Sequence, residues 1–451
     1  MALLSFEDHK YFAAKILSLG ATESLKHGSS HELEVLNAVA ARRRFGLLPI
    51  LYDHFAQEGP CGVHYVFLTA TFCSDVSTFR ASAPTGRLGI HIVKPIVACV
   101  VEGLQALHSL NIVHADIKSD NILFLGPDTT DIEEEIARDP PSVEGVLTLD
   151  GTQYPILRSQ PFQPLFSWDV APHIAETITV ILSDFGAAFR ADGPKPFTDI
   201  GVFALRAPEN IIRAECGKEI DIWAVGCLTY ELLTGENLFQ PQTIPNLTLD
   251  ESLLLLQFSV TGEILSKDVV NQSRVRDKFF NREGRFIQSR ANIYPSQSIK
   301  ERLTERCNGD LTERQINAAA RFISDCLRLN PRDRPTVDEL GLHPWLETAF
   351  RGGTDLSTEP TTTPTPVPPS FIRPTPISPT VIPPAFILPP FVPPPFVPSL
   401  EPTREGRRRC TTVGFEGLDR VPIRQCDEED AEIHSRYRSY ITTIRSMSKS
   451  G

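Results

Sequence analysis

The chain has 451 residues, 41% hydrophobic and 22% charged, which excludes a wholly disordered, collagen-like or membrane-embedded protein and suits two or three soluble domains. Seventeen of its 38 prolines lie between Pro360 and Pro402, so one segment is abnormal in composition and the rest is ordinary. The net charge is −12; residues 351–451 hold 12 Lys/Arg against 11 Asp/Glu, or +1, so the first 350 hold −13, which disfavours nucleic acid and anionic membrane surfaces and favours basic partners.

No signal peptide is expected at the start, because Glu7, Asp8, His9 and Lys10 interrupt any apolar run. Two strand-like runs, Tyr11–Leu17 and His64–Ala70, flank a helical stretch that begins near His31, so residues 1–70 read as a small α+β lobe. From about Ile90 apolar residues recur every three or four positions, and residues 71–350 read as a larger, mainly helical lobe. Within it, residues 126–179 carry ten acidic side chains against Arg138 and Arg158, which marks a solvated insertion. Residues 351–403 read as a Pro-rich, disordered linker: the apolar stretch from Val381 to Val397 is too interrupted by prolines to span a bilayer as a helix. In residues 404–451, a basic cluster at Arg407, Arg408 and Arg409 precedes Ile433, Tyr437, Tyr440, Ile441 and Ile444, which are either one face of a short amphipathic helix or part of a frayed tail. Nine cysteines without a CxxC pair or a Cys/His ligand spacing read as reduced thiols of a cytosolic or nuclear protein.

The segment NIVHADIKSDNILF gathers His114, Asp116, Lys118 and Asn121 after a helical pattern and before a short apolar strand. Phosphoryl transfer needs a carboxylate to accept a hydroxyl proton and a nearby oxygen for Mg²⁺, and one tight loop can hold both. In VILSDFGAAF, Asp184 ends a β-branched run before a glycine, which suits a carboxylate offered to a metal from a turn. Lys15 ends a strand-like run and Glu32 opens a helix. The two are either a pair that holds an ammonium against nucleotide phosphates or an unrelated surface lysine and solvated glutamate.

Taken in order, Lys15, Glu32, Asp116, Lys118, Asn121, Asp184, RAPE (Arg206–Glu209), DIWAVGC (Asp221–Cys227) and NPRDRPT (Asn330–Thr336) resemble the eukaryotic protein kinases over about residues 1–350. The resemblance implies a bilobal α+β fold with ATP in the cleft. It also implies Asp116 as catalytic base, Lys118 on the transferred phosphate, and Asn121 and Asp184 as Mg²⁺ ligands. Phe67 resembles the gatekeeper, with the backbone of Leu68 and Ala70 at the adenine edge; Ala13 and Val66 are apolar-wall or core residues. Glu209 is expected to pair with Arg334, and Asp221 to brace the catalytic loop. Lys118 is of the serine/threonine type.

Arg206 before Ala-Pro-Glu resembles the group that includes the cyclin-dependent and SR-protein kinases. The insertion between Asn121 and Asp184, with YPILRSQPF, LSDFGAAF and DKFFNREGRF, is similar to the fungal branch of the SR-protein-specific kinase family. That family implies Arg/Ser-rich substrates, held by acidic groups. Two departures stand against it. Ala115 replaces the usual arginine, so ordering of the activation segment is expected not to depend on phosphorylation of Thr198. Only 14 residues precede Lys15, with no glycine before Gly20, so the two first strands and the glycine-rich phosphate lid are expected to be missing. The alternatives are therefore an active kinase whose lid lies upstream, an inactive scaffold, or a protein acting through its proline tract on SH3- or WW-type modules.

Overall fold

Short apolar runs near the start of the chain pair into an antiparallel sheet. A computed structural model describes residues 2–349, apart from 7–9, 43–46, 60–61, 127–128, 150, 159, 194–200, 288–293, 295, 308 and 348. Strand β1 (Ala2–Phe6) lies on β2 (Lys10–Ile16); helices α1 (Leu19–Lys26) and α2 (Glu32–Ala40) follow; β3 (Leu51–Gly59) and β4 (Gly62–Thr69) complete the order β1-β2-β4-β3. The expectation that both strands ahead of β2 are missing is thus corrected. One is present, running from Ala2 opposite Ala14 to Phe6 opposite Lys10, because antiparallel neighbours need only a short connection. Helix α1 was not legible as a separate element; Ser18 caps it by accepting a hydrogen bond from the Ala21 amide.

Alternation along β2 sends Ala13 and Lys15 to one face and Ala14 and Ile16 to the other. Ala14 packs with Val66 and Leu68. Val66 therefore belongs to the core of the outer face and forms no wall on the Lys15 side. Phe67, opposite Lys15 in the register, is wholly buried.

The second lobe opens with β5 (Phe72–Asp75), α3 (Val76–Ala81) and α4 (Ile90–Ser109), then β6 (Ile112–Val113) and β7 (Ile122–Leu125). Helix α4 is long and apolar enough to cross a membrane, but Ile92, Ile96, Val97, Leu104 and Leu107 are buried inside the fold, so it is a core helix. The insertion contributes α5 (Thr129–Arg138) and a hairpin of β8 (Val143–Leu149) and β9 (Thr152–Leu157). Helix α5 packs on β2 and buries Ile132. The hairpin turns at Gly151, whose φ of +79° favours glycine. Next come α6 (Pro172–Ala175), β10 (Val180–Leu182), β11 (Phe189–Arg190) and α7 (Pro208–Ile211). Strands β10, β7 and β5 form one small sheet, and β11 pairs with β6.

Helix α8 (Glu219–Thr234) is apolar all round and buried along its length, as a central helix should be. Trp223 stacks on Phe239 at 5.5 Å between centroids. Around it lie α9 (Leu249–Thr261), α10 (Lys267–Gln272), α11 (Arg276–Phe279), α12 (Ile299–Arg306), α13 (Glu313–Cys326) and α14 (Val337–Gly341). Helix α13 comes so near α8 that a Cβ on Gly226 would sit 2.7 Å from Cys326 Cβ, so this contact requires glycine. Capping boxes start α9, α12, α13 and α14. Among the described residues six cysteines are free and buried; burial pushes the Cys99 thiol up to about 11, which keeps it protonated and inert.

Candidate active site

Three of the singled-out charges meet. Lys15 Nζ donates to Glu32 Oε1 at 2.5 Å and to Asp184 Oδ1 at 2.7 Å. Lys15 comes from the inner face of β2 and Asp184 from the turn after β10. Glu32 comes from the first turn of α2, where the helix dipole favours an anion. Val35, Leu36 and Val39 bury the same helix against the core, which fixes the direction in which Glu32 points. Burial lowers the Lys15 pKa, but the two carboxylates outweigh it and leave the ammonium above its ordinary value. Burial dominates at Glu32, which lies above the usual carboxylate range, whereas at Asp184 the lysine outweighs burial and the carboxyl lies below it. The backbone of Asp184 is left-handed, φ +67°, a conformation aspartate tolerates.

The second group lies on the loop between β6 and β7. Asp116 Oδ2 accepts from Lys118 Nζ at 2.7 Å and from Asn121 Nδ2 at 2.9 Å. Asn121 Nδ2 also donates to the Asp116 carbonyl, so its amide oxygen is the atom turned elsewhere. The other Asp116 oxygen, Oδ1, faces the activation segment, where a Cβ on Gly201 would stand 3.7 Å away. Ser183 ties this loop to the Asp184 turn through its N–H and its hydroxyl, both bonded to the Asn121 carbonyl at 2.9 Å.

Asp221, fully buried at the start of α8, is the anchor of that loop. Its Oδ2 accepts from the His114 amide and from His108 Nε2, both at 2.9 Å, and its Oδ1 accepts from the Ala115 amide at 2.8 Å. These bonds hold Ala115 at φ +67°, a strained conformation for alanine that persists where surrounding contacts over-determine it. His114 accepts from the Asp116 amide on Nδ1 and bonds the Ser183 carbonyl through Nε2; its ring packs edge-on against Phe185.

Burial holds the His114 imidazole below its ordinary value, against the pull of Asp221. The unfolded ring takes a proton as pH falls below about 6.5, whereas the folded ring resists it, so stability is full above that pH and declines below it. The melting temperature is therefore expected to drop between pH ~7.5 and pH ~5.5, and His114→Gln to flatten part of that slope. Equal slopes in the two proteins would dissociate His114 from the acid response.

Glu209 and Arg334 form a two-pronged buried pair, 2.6 and 2.8 Å, with the guanidinium also donating to the Glu219 and Arg328 carbonyls. Arg206 stands before α7 with its guanidinium 5.3 Å from the Phe203 ring centre, and its carbonyl accepts from Gln257. Leu68 lies within β4, and Ala70 lies just beyond it in the link to β5. Thr198 and everything after Ala349 lie outside the described residues. Sequence reasoning missed His108 and the Arg80–Glu231 pair, 3.0 Å, whose glutamate also accepts from the Ser119 hydroxyl beside Lys118. Arg80 sits on a helix outside the recognised motifs, and only the folded chain brings it there.

The donor set fits a nucleotide–magnesium complex. Among the described residues no three His, Cys, Asp or Glu side chains form a metal cluster. Mg²⁺ commonly takes one or two protein oxygens and completes its shell with phosphates and water; Asp184 and the Asn121 amide oxygen are of that kind.

A protein kinase domain model matches residues 2–132 and 173–346, more than half of the chain, and passes over most of the insertion. The chain is 23% identical over 329 residues to the serine/threonine-protein kinase SRPK of Physarum polycephalum, covering 70% of this chain and 74% of that one. It is 32% identical over 143 residues to serine/threonine-protein kinase SKY1 of Saccharomyces cerevisiae (32% and 18%), and 30% identical over 176 residues to human SRSF protein kinase 3 (39% and 30%). It therefore spans about three quarters of the first relative and less than a fifth of the second. The crystal structure of PF14_0431, a kinase domain, superposes with a TM-score of 0.52 at 19% identity, over 76% of this chain and 90% of that one, and so shares the fold. With lobes, lysine pair and catalytic loop in place, the chain belongs to the protein kinase domain family, and its relatives include SRPK-type serine/threonine kinases.

Proposed function

We propose that the protein transfers the γ-phosphoryl group of ATP to serine or threonine hydroxyls in basic, Arg/Ser-rich protein segments. The observation that carries this reading is the meeting of Lys15, Glu32 and Asp184 on a turn bonded directly to the Asp116–Asn121 loop. When bound, ATP supplies the phosphoryl group and Mg²⁺ offsets its charge. Lys15 holds phosphate oxygens in register, with Glu32 fixing its ammonium. Asp184 and Asn121 would hold the metal. Asp116 takes the proton of the incoming hydroxyl at Oδ1, while Lys118 and Asn121 fix the carboxylate through Oδ2, and Lys118 meets the moving phosphate.

The Arg/Ser preference rests on two further supports: the −13 charge of the first 350 residues and the names of the SRPK-type relatives. In a radiolabelled-ATP assay, an Arg/Ser-repeat peptide is expected to be phosphorylated at least ~10-fold more efficiently than a Gly/Ser-repeat peptide, the size of one strong charge-assisted contact. Equal rates would remove the substrate assignment, and no transfer to either peptide would favour the scaffold reading. Thr198→Ala should stay within about tenfold of the parent, because Ala115 offers no guanidinium to a phosphothreonine; a loss of two orders of magnitude, about 100-fold, would reveal a phosphorylation switch.

A further inference from the structure

The hairpin β8–β9 exposes apolar side chains on both faces. Val143, Val146, Leu147, Ile156 and Leu157 are each about half exposed, and neither strand packs extensively on another element. A two-stranded ribbon alone is marginal in water, and exposed apolar clusters mark contact surfaces. Val146 pairs with Pro155 and Leu147 with Tyr154, so Val146 and Leu147 point to opposite sides. A flat partner could cover only one of them, whereas a strand added alongside would set an apolar side chain against one and the aliphatic stem of a basic residue against the other. Pro155 lacks an N–H and fits a strand whose outer edge stays bare, which leaves β8 as the edge for addition.

The charge of the insertion selects the occupant. The insertion carries ten carboxylates and two arginines, and both arginines are already committed, Arg138 to Glu135 and Arg158 to Asp139. Glu144 lies exposed on β8 itself. Such a segment repels a second copy of itself and attracts cations. An Arg/Ser repeat would match the charge but has no apolar side chain to cover Val146 or Leu147.

We infer that the β8 edge is a docking site for an extended protein segment in which apolar and basic residues alternate. The site is separate from the one that takes the phosphorylated hydroxyl and does not depend on that reading. Fluorescence anisotropy of a labelled peptide of four Val-Arg repeats with the full chain tests it, alongside Arg-Ser and Val-Glu repeats of equal length. Two variants serve as comparisons: Val146→Lys with Leu147→Lys, and replacement of residues 143–157 by a Gly/Ser loop. The Val-Arg peptide is expected to lose at least ~10-fold in affinity in both variants, about 1.4 kcal/mol, while Arg-Ser binding and peptide phosphorylation stay at parent values. Three results would overturn the inference: no Val-Arg binding to the parent, equal binding to parent and variants, or an Arg-Ser loss as large as the Val-Arg loss.

Discussion

Asp116→Asn is expected to lower kcat on an Arg/Ser peptide by about 10²–10⁴, the usual share of a general base, with little change in melting temperature or nucleotide affinity. An amide has nearly the shape of the carboxylate, and its oxygen can still accept from Lys118 Nζ and Asn121 Nδ2, the two donors that hold Oδ2. It cannot take up a proton at neutral pH. The effect should therefore fall on turnover and spare folding. A radiolabelled assay with a parallel melt separates the two, and a variant within about tenfold of the parent would show that the carboxylate is not the base.

The largest effect on stability is expected from breaking Glu209–Arg334. Both side chains are at most 1% exposed, and the guanidinium lies 5.0 Å from the Trp223 ring centre, so removing one partner strands a charge in the core. Glu209→Ala or Arg334→Ala should cost about 3–5 kcal/mol, a drop of roughly 10 °C in melting temperature. Glu209→Leu combined with Arg334→Met should cost less than the two single losses together, because no lone charge remains. Calorimetry of the three variants decides: additive losses would mean that the two side chains are not energetically coupled, against the pairing as the source of the stability.

Much of the site was legible because its chemistry is packed into short segments. Asp116, Lys118 and Asn121 sit within one loop, and Lys15 and Glu32 each end or open an element whose periodicity is clear. The pairing of Glu209 with Arg334 spans 125 residues and was readable only through the ordered motifs. What escaped follows from the same logic. Strand β1 is five residues long, too short for alternation to stand out. For Val66 both a wall and a core role stood open, and only the register of β2 on β4 decides for the core, because one step reverses every side chain of a strand. In the insertion the excess of carboxylates drew the reading toward a solvated stretch, although Asp150-Gly151 between two β-rich runs is a strong hairpin signal. Arg80 and Glu231 meet across helices that carry no shared pattern, so no spacing rule could have joined them.

The two loop amides that donate to Asp221, with His108 of α4 on the same carboxylate, make the loop from His114 to Ala115 part of the rigid body built on α8. A shift of the sheet that carries Lys15 would therefore leave this loop in place and alter the distance from the Lys15 ammonium to the Asp184 turn. Thermal softening should appear first in the link after Thr69 and last in the central helix, an order that amide exchange would resolve residue by residue.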